Sequence, residues 1–212
     1  MGMHQYLQGL NSLETIRRAP GLFKYQEHSV ASHSFKVAEI AQLLGDIEEE
    51  SGQEVKWQVL YERALNHDYT ERFIGDIKTP VKYATQELRQ MLANVESSLT
   101  DNFINNEIPD FLQERYRRRL SEGKDETLEG QLLSVADKID LLYESFGEIE
   151  KGNPENAFLE IFAESLKTIM HYQQLASARY FIQEMLPDLL SEDFADRGKL
   201  TQLVRQTLSN QA

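Results

Sequence analysis

The stretch EVKWQVLYERALNHDYTERFIGDIKTP, Glu54 to Pro80, decides the fold and locates a polar centre within it. Trp57, Leu60, Ala64 and His67 recur every three or four residues, the period of one face of an α-helix. That stripe ends on a histidine followed at once by Asp68, and a loop around Gly75 to Pro80 closes the segment. Glu71 and Asp76 follow the His-Asp pair at short intervals. The stretch is either an ordinary helix end or one wall of a metal site.

The helical period extends outward in both directions. GMHQYLQGLNSLETIRR places Tyr6, Leu10, Leu13 and Ile16 on one face, and Pro20-Gly21 is the expected stop. SVASHSFKVAEIAQLLGDIEEESG repeats Val30, His33, Val37, Ile40, Leu44 and Ile47. Two more helices are expected through Leu88 to Phe103 and Pro109 to Leu120. TLEGQLLSVADKIDLLYESFGEIEKG forms a long helix that Gly152-Asn153-Pro154 ends. Two or three further helices complete an all-α bundle. Residues 1–153 read as its core, and residues 154–212 as C-terminal helices packed on that core within one domain.

Composition narrows the function. The 212 residues hold 22 Lys+Arg against 35 Asp+Glu, a formal charge of -13. Such a field repels nucleic acid, so an anionic ligand must be small and held by a local cation. There is no cysteine, which removes disulfides and thiolate metal ligands. No apolar run reaches membrane-spanning length and no signal-peptide pattern opens the chain, so a cytoplasmic location is expected. The basic run ERYRRRL, Glu114 to Leu120, reads as a solvated helix face balanced by the acidic residues after it. Tyr143, Phe146 and Ile149 read as core, and Trp57 as packing.

His33, His67 and Asp137 occupy positions on apolar stripes, where a polar group is costly unless paired or bound to metal. A lone histidine there is usually a hydrogen-bonded core residue. Together with Asp68 they form a set of two imidazoles and two carboxylates on separate helices or helix ends, each aimed inward. That donor set suits a divalent cation with mixed nitrogen and oxygen ligands, not a closed sulfur-rich zinc site. Four such ligands on an octahedral ion leave positions open for hydrolysis.

The order His…His-Asp…Asp, with spacings of 34 and 69 residues, resembles the HD-domain metal-dependent phosphohydrolases. HDYTERFIGDIKTPVKY is similar to the HDxxExxxGDxxTPVKY segment of their bacterial 5'-deoxynucleotidase branch; VASHS and SVADKID resemble its first-histidine and last-aspartate motifs. The likeness covers roughly residues 5 to 150. It implies an HD-domain bundle and a phosphomonoester hydrolase that releases phosphate from (deoxy)nucleoside 5'-monophosphates. It also implies one divalent ion (Co, Mn, Mg, Zn, Fe or Ni) on His33, His67, Asp68 and Asp137. Glu71 and Asp76 fall on the family's essential acids, and Arg18 on an arginine bordering the nucleotide pocket. The resemblance also implies a homodimer. By its charge Lys82 is a candidate phosphate or nucleotide contact, the alternative being a solvated surface lysine. Two positions depart from the pattern. Ala19 replaces a tryptophan that shapes the sugar pocket, and Ser32 replaces a glutamate before the first histidine. The alternatives are an HD hydrolase of an alarmone or nucleoside triphosphate, and a non-catalytic helical protein that binds metal or nucleotide.

Overall fold

Helices form where the apolar period runs, and at two of them a threonine side chain fixes the start. The computed structural model describes residues 3–77, 79–82, 84–121 and 123–209. In chain order the helices are α1 (His4–Thr15), α2 (Val30–Glu50), α3 (Trp57–Asn66), α4 (Glu71–Ile74), α5 (Thr79–Lys82) and α6 (Gln86–Glu107). They continue as α7 (Asp110–Ser121), α8 (Leu128–Glu150), α9 (Ala157–His171), α10 (Ala176–Tyr180), α11 (Leu186–Ser191) and α12 (Arg197–Ser209). A π-helical turn, Phe181–Met185, joins α10 to α11. The described residues contain no strand, only one isolated antiparallel bridge between Arg17 and Ser29. The all-α expectation holds.

Thr85 and Thr127 cap α6 and α8, their hydroxyls accepting the N–H of Leu88 and Gly130. At the other end of α8, Gly152 takes φ +73, which a side chain would strain. The first helix differs from expectation. It stops at Thr15, short of Pro20-Gly21, because the backbone beyond it pairs elsewhere. Arg18 N–H donates to His28 C=O and Val30 N–H to Ile16 C=O, both at 3.0 Å.

The chain divides into two compact units. The first comprises residues up to Leu22, Glu27–Phe35 and Glu62–Gly123. Its core gathers Leu13, Val30, Tyr69, Phe103, Ile104, Ile108 and Tyr116. Tyr6 stacks on Tyr69 and Phe103 at 5.9 and 6.2 Å and meets Tyr116 edge-on at 5.6 Å. Each such aromatic pair adds about 0.5–1.5 kcal/mol beyond area burial. ERYRRRL is more engaged than a solvated face: Tyr116 is buried, and Arg119 reaches Glu62 at 2.8 Å.

The second unit comprises Phe23–Gln26, Lys36–Tyr61 and the chain from Lys124 onward. Here α9 packs along α8, burying Phe158, Phe162, Leu166 and Ile169 on one side and Leu132, Leu133, Ala136 and Ile139 on the other. Buried carboxylates hold its loops, each paired as burial requires. Glu48 accepts the N–H and hydroxyl of Ser177 at 2.7 and 2.6 Å. Glu148 accepts the N–H groups of Tyr25 and Gln26, both at 2.9 Å, and the Asn153 amide at 2.6 Å. Burial alone would raise the Glu148 carboxyl, but these donors hold it below the usual range. Phe146 and Ile149 are core as expected; Tyr143 is not, being 40 % exposed. Trp57 packs on Gly45 and stacks on Tyr61. No helix of the described residues is long and apolar enough to cross a membrane.

Candidate metal centre and hydrolytic site

His33 sits in the first turns of α2, its side chain fully buried. The start of that helix is fixed by reciprocal serines. Ser29 Oγ accepts the Ser32 N–H at 3.2 Å, and Ser32 Oγ accepts the Ser29 N–H at 3.1 Å. This is the hydrogen-bond pattern of a capping box, with Ser32 doing what a glutamate does three residues into a helix. The Ser32 departure therefore keeps the local geometry that aims His33.

His67 and Asp68 do not lie on α3, which ends at Asn66; they occupy the turns after it. His67 Nδ1 lies 2.8 Å from Ala64 C=O. A carbonyl can only accept, so Nδ1 carries the proton and Nε2 keeps its lone pair. His67 Nε2 faces His33 Nε2 at 3.1 Å. Asp68 Oδ2 is 3.4 Å from each of these nitrogens. Two ligands placed at right angles about 2.0–2.2 Å from one ion stand roughly 3 Å apart. The two imidazoles and the carboxylate thus have the chemistry and separations of a divalent-cation site, and they form a candidate ligand group among the described residues. Asp68 Oδ2 also receives Arg18 Nη1 at 3.2 Å.

Asp137 is a residue of α8 in the second unit and is buried. Lys124 and Lys138 contact its Oδ2 at 2.6 and 3.2 Å. These two cations balance a carboxylate that burial would otherwise penalise.

Glu71 opens α4, one turn past Asp68, with its N–H on Asp68 C=O at 3.1 Å. Burial, and then the negative charge of Asp68 and Asp76, pushes its carboxyl up to about 8. Its Oε2 atom is buried and has no hydrogen-bond partner among the described residues. Buried polar atoms seldom go without a partner, so this oxygen is free to bond a ligand or water. Asp76 Oδ2 accepts the Ala19 N–H at 2.7 Å. Ala19 adopts φ +46, rare for a residue with a side chain, and this bond helps hold the turn that carries Arg18. A cleft of about 60 Å3 is lined by His67, Asp68, Glu71 and Lys82, with Thr70 and Glu96. Lys78 and Tyr83, both part of the motif quoted above, lie outside the described residues.

Sequence reasoning missed Glu96 and Thr70. Thr70 lies within the motif at an unspecified position, but nothing in the spacing of α6 points Glu96 at residues 26 positions earlier.

Residues 5–189 match the family model described as 5'-deoxynucleotidase YfbR-like. The chain is 60% identical to an HD-domain phosphohydrolase from Listeria innocua, whose crystal structure superposes with a TM-score of 0.94 over 99% of this chain and 100% of that one. A 5'-deoxynucleotidase of Klebsiella pneumoniae (strain 342) is 26% identical over 188 residues, 88% of this chain and 92% of its own length. The 5'-deoxynucleotidase YfbR of Escherichia coli O1:K1 / APEC is 25% identical over the same shares. The PH0347 protein of Pyrococcus horikoshii OT3, 21% identical with a TM-score of 0.60, shares the fold.

Proposed function

Because the chain belongs to the 5'-deoxynucleotidase YfbR-like family of HD-domain phosphohydrolases, we propose that it releases phosphate from (deoxy)nucleoside 5'-monophosphates, with His33, His67, Asp68 and Asp137 holding one divalent cation. The observation that carries this reading is the convergence of His33 Nε2, His67 Nε2 and Asp68 Oδ2 beside the buried Glu71 oxygen, which has no partner among the described residues. Asp137 joins the set on the strength of the SVADKID motif alone. Imidazole and carboxylate together serve Co, Mn, Zn, Fe and Ni, and carboxylate also serves Mg.

When bound, a divalent ion acidifies water and takes up negative charge on the phosphoryl oxygens. The chain's own residues do the rest. Water attacks phosphorus, the bond from phosphorus to the 5'-oxygen breaks, and that oxygen gains a proton. Glu71 is the group that moves the proton, either from the attacking water or to the leaving oxygen, because its buried carboxyl lines the cleft beside Asp68 and His67. Asp76 is proposed to share the acid-base work; its bond to the Ala19 N–H also steadies the Arg18 turn. Arg18 and Lys82 bring positive charge to the phosphate, Arg18 from beside Asp68 and Lys82 from the cleft wall.

Ala19 stands where the family's tryptophan narrows the sugar pocket, so we expect weaker rejection of ribonucleotides here than in relatives with that side chain. A cytoplasmic homodimer is proposed from the family resemblance. The reading as a binding protein without chemistry gives way to family membership and to Glu71, because a sensor needs ligands but no proton-transfer group.

The test is Asp68→Ala. Activity and metal content should both vanish while the helical circular dichroism persists. Full metal content in this variant would overturn the ligand assignment.

A further inference from the structure

We infer that Glu96 on α6 is a positioning residue for Glu71, acting through the hydroxyl of Thr70; the inference rests on the role proposed for Glu71. It begins from what does not hold Glu71 in place. Its Oε2 atom has no partner among the described residues, so the aim of that oxygen depends on its backbone. That backbone is α4, a helix of four residues, too short to sustain itself in water. No side chain caps it, and it ends at Gly75, which turns away at φ +75. The turn must be held from outside.

Its two flanks are held by one helix. On one side Thr70, only 6% exposed, donates its hydroxyl to Glu96 Oε1. On the other side Arg72 lies over the rings of Tyr69, Phe73 and Phe103, with 5.5, 5.0 and 4.9 Å from guanidinium carbon to ring centre. It donates to the Tyr69 hydroxyl at 2.6 Å and pairs with Glu107 at 3.6 Å. Gly9 of α1 leaves the room: a Cβ there would stand 2.2 Å from the guanidinium carbon. Glu96 and Glu107 are 11 residues apart, three helical turns, and so share a face of α6. Thr70 and Arg72 bracket Glu71, so α6 fixes the residue on each side of it. Of the two anchors only Glu96 lines the cleft with Glu71 and Asp68. A glutamine in its place can still accept from Thr70, whereas an alanine cannot.

The experiment measures kcat, KM and metal content for Glu96→Ala, Glu96→Gln, Thr70→Val, the Glu96→Ala/Thr70→Val double variant and, in parallel, Glu71→Gln. Substrate is a deoxynucleoside 5'-monophosphate with saturating divalent ion. Glu96→Ala and Thr70→Val should each lower kcat by about tenfold or more, with KM and metal content within about twofold of the natural protein, as for loss of aim alone. Glu96→Gln should restore most of kcat. The double variant should fall no further than the singles, because both break one contact. Unchanged kcat in Glu96→Ala beside an inactive Glu71→Gln would overturn the inference alone. So would a Glu96→Gln as impaired as the alanine, which would make Glu96 a charge effect. Full activity in Glu71→Gln would overturn the reading of Glu71 and this inference with it.

Discussion

Consider Glu71→Gln in protein stripped of metal by a chelator. In the folded chain burial and the neighbouring Asp68 and Asp76 charges push the Glu71 carboxyl up to about 8, from an ordinary value of 4.5. A carboxyl raised in this way binds a proton in the folded state that the unfolded chain has already released. Its contribution to stability is complete below the ordinary value and is lost as pH rises through about 8. Between about pH 5.5 and 8.5 the two affinities give a loss on the order of 3 kcal/mol. Glutamine keeps the shape and cannot ionise, so the variant lacks this loss. Urea unfolding at several pH values in that window, in the presence of chelator, measures the difference between natural protein and variant. The natural protein should be penalised increasingly toward high pH relative to Glu71→Gln. Adding a divalent ion should shrink the effect, because a cation beside the carboxylate favours its charged form. A stability difference that stays flat across the window would refute the burial argument for Glu71.

Two further outcomes follow from the same site. Glu71→Ala should retain its metal, read by elemental analysis, and lose about 10²–10⁴-fold in turnover at saturating substrate; a loss under about tenfold would make Glu71 a structural helix-end residue. The ratio of kcat/KM for dAMP over AMP should rise in Ala19→Trp, because an apolar wall rejects an added hydroxyl by at most ~10²-fold and the alanine supplies less of one. An unchanged ratio, or complete exclusion of AMP by the natural protein, would show that another group forms the wall.

The fold was legible because its helices carry a clean apolar period. Val30 to Ile47 and Leu128 to Ile149 announce α2 and α8, and the Gly152-Asn153-Pro154 stop falls where α8 ends. What failed was decided by pairing between distant backbone segments. Ile16 and Arg18 satisfy their backbones against Val30 and His28, so α1 ends before its expected stop. Tyr143 has the spacing of a core residue but stays 40 % exposed, since a stripe gives direction and not the width of the surface that covers it. Of the site, the residue types and order were legible in the sequence. The convergence of His33 with His67 and Asp68 could not be derived from periodicity, because His67 and Asp68 lie in turns past α3. Glu96 left no signal: its relation to Thr70 exists only once α6 is folded against α4.

Phosphate release is the most direct test of the central reading. The purified protein is stripped with chelator, then offered nucleoside mono-, di- and triphosphates with and without each of Co, Mn, Mg, Zn, Fe and Ni. The account predicts phosphate from deoxynucleoside 5'-monophosphates only when a divalent ion is restored, with little from di- or triphosphates. Release that survives chelation, or that comes from triphosphates while monophosphates stay intact, would contradict it.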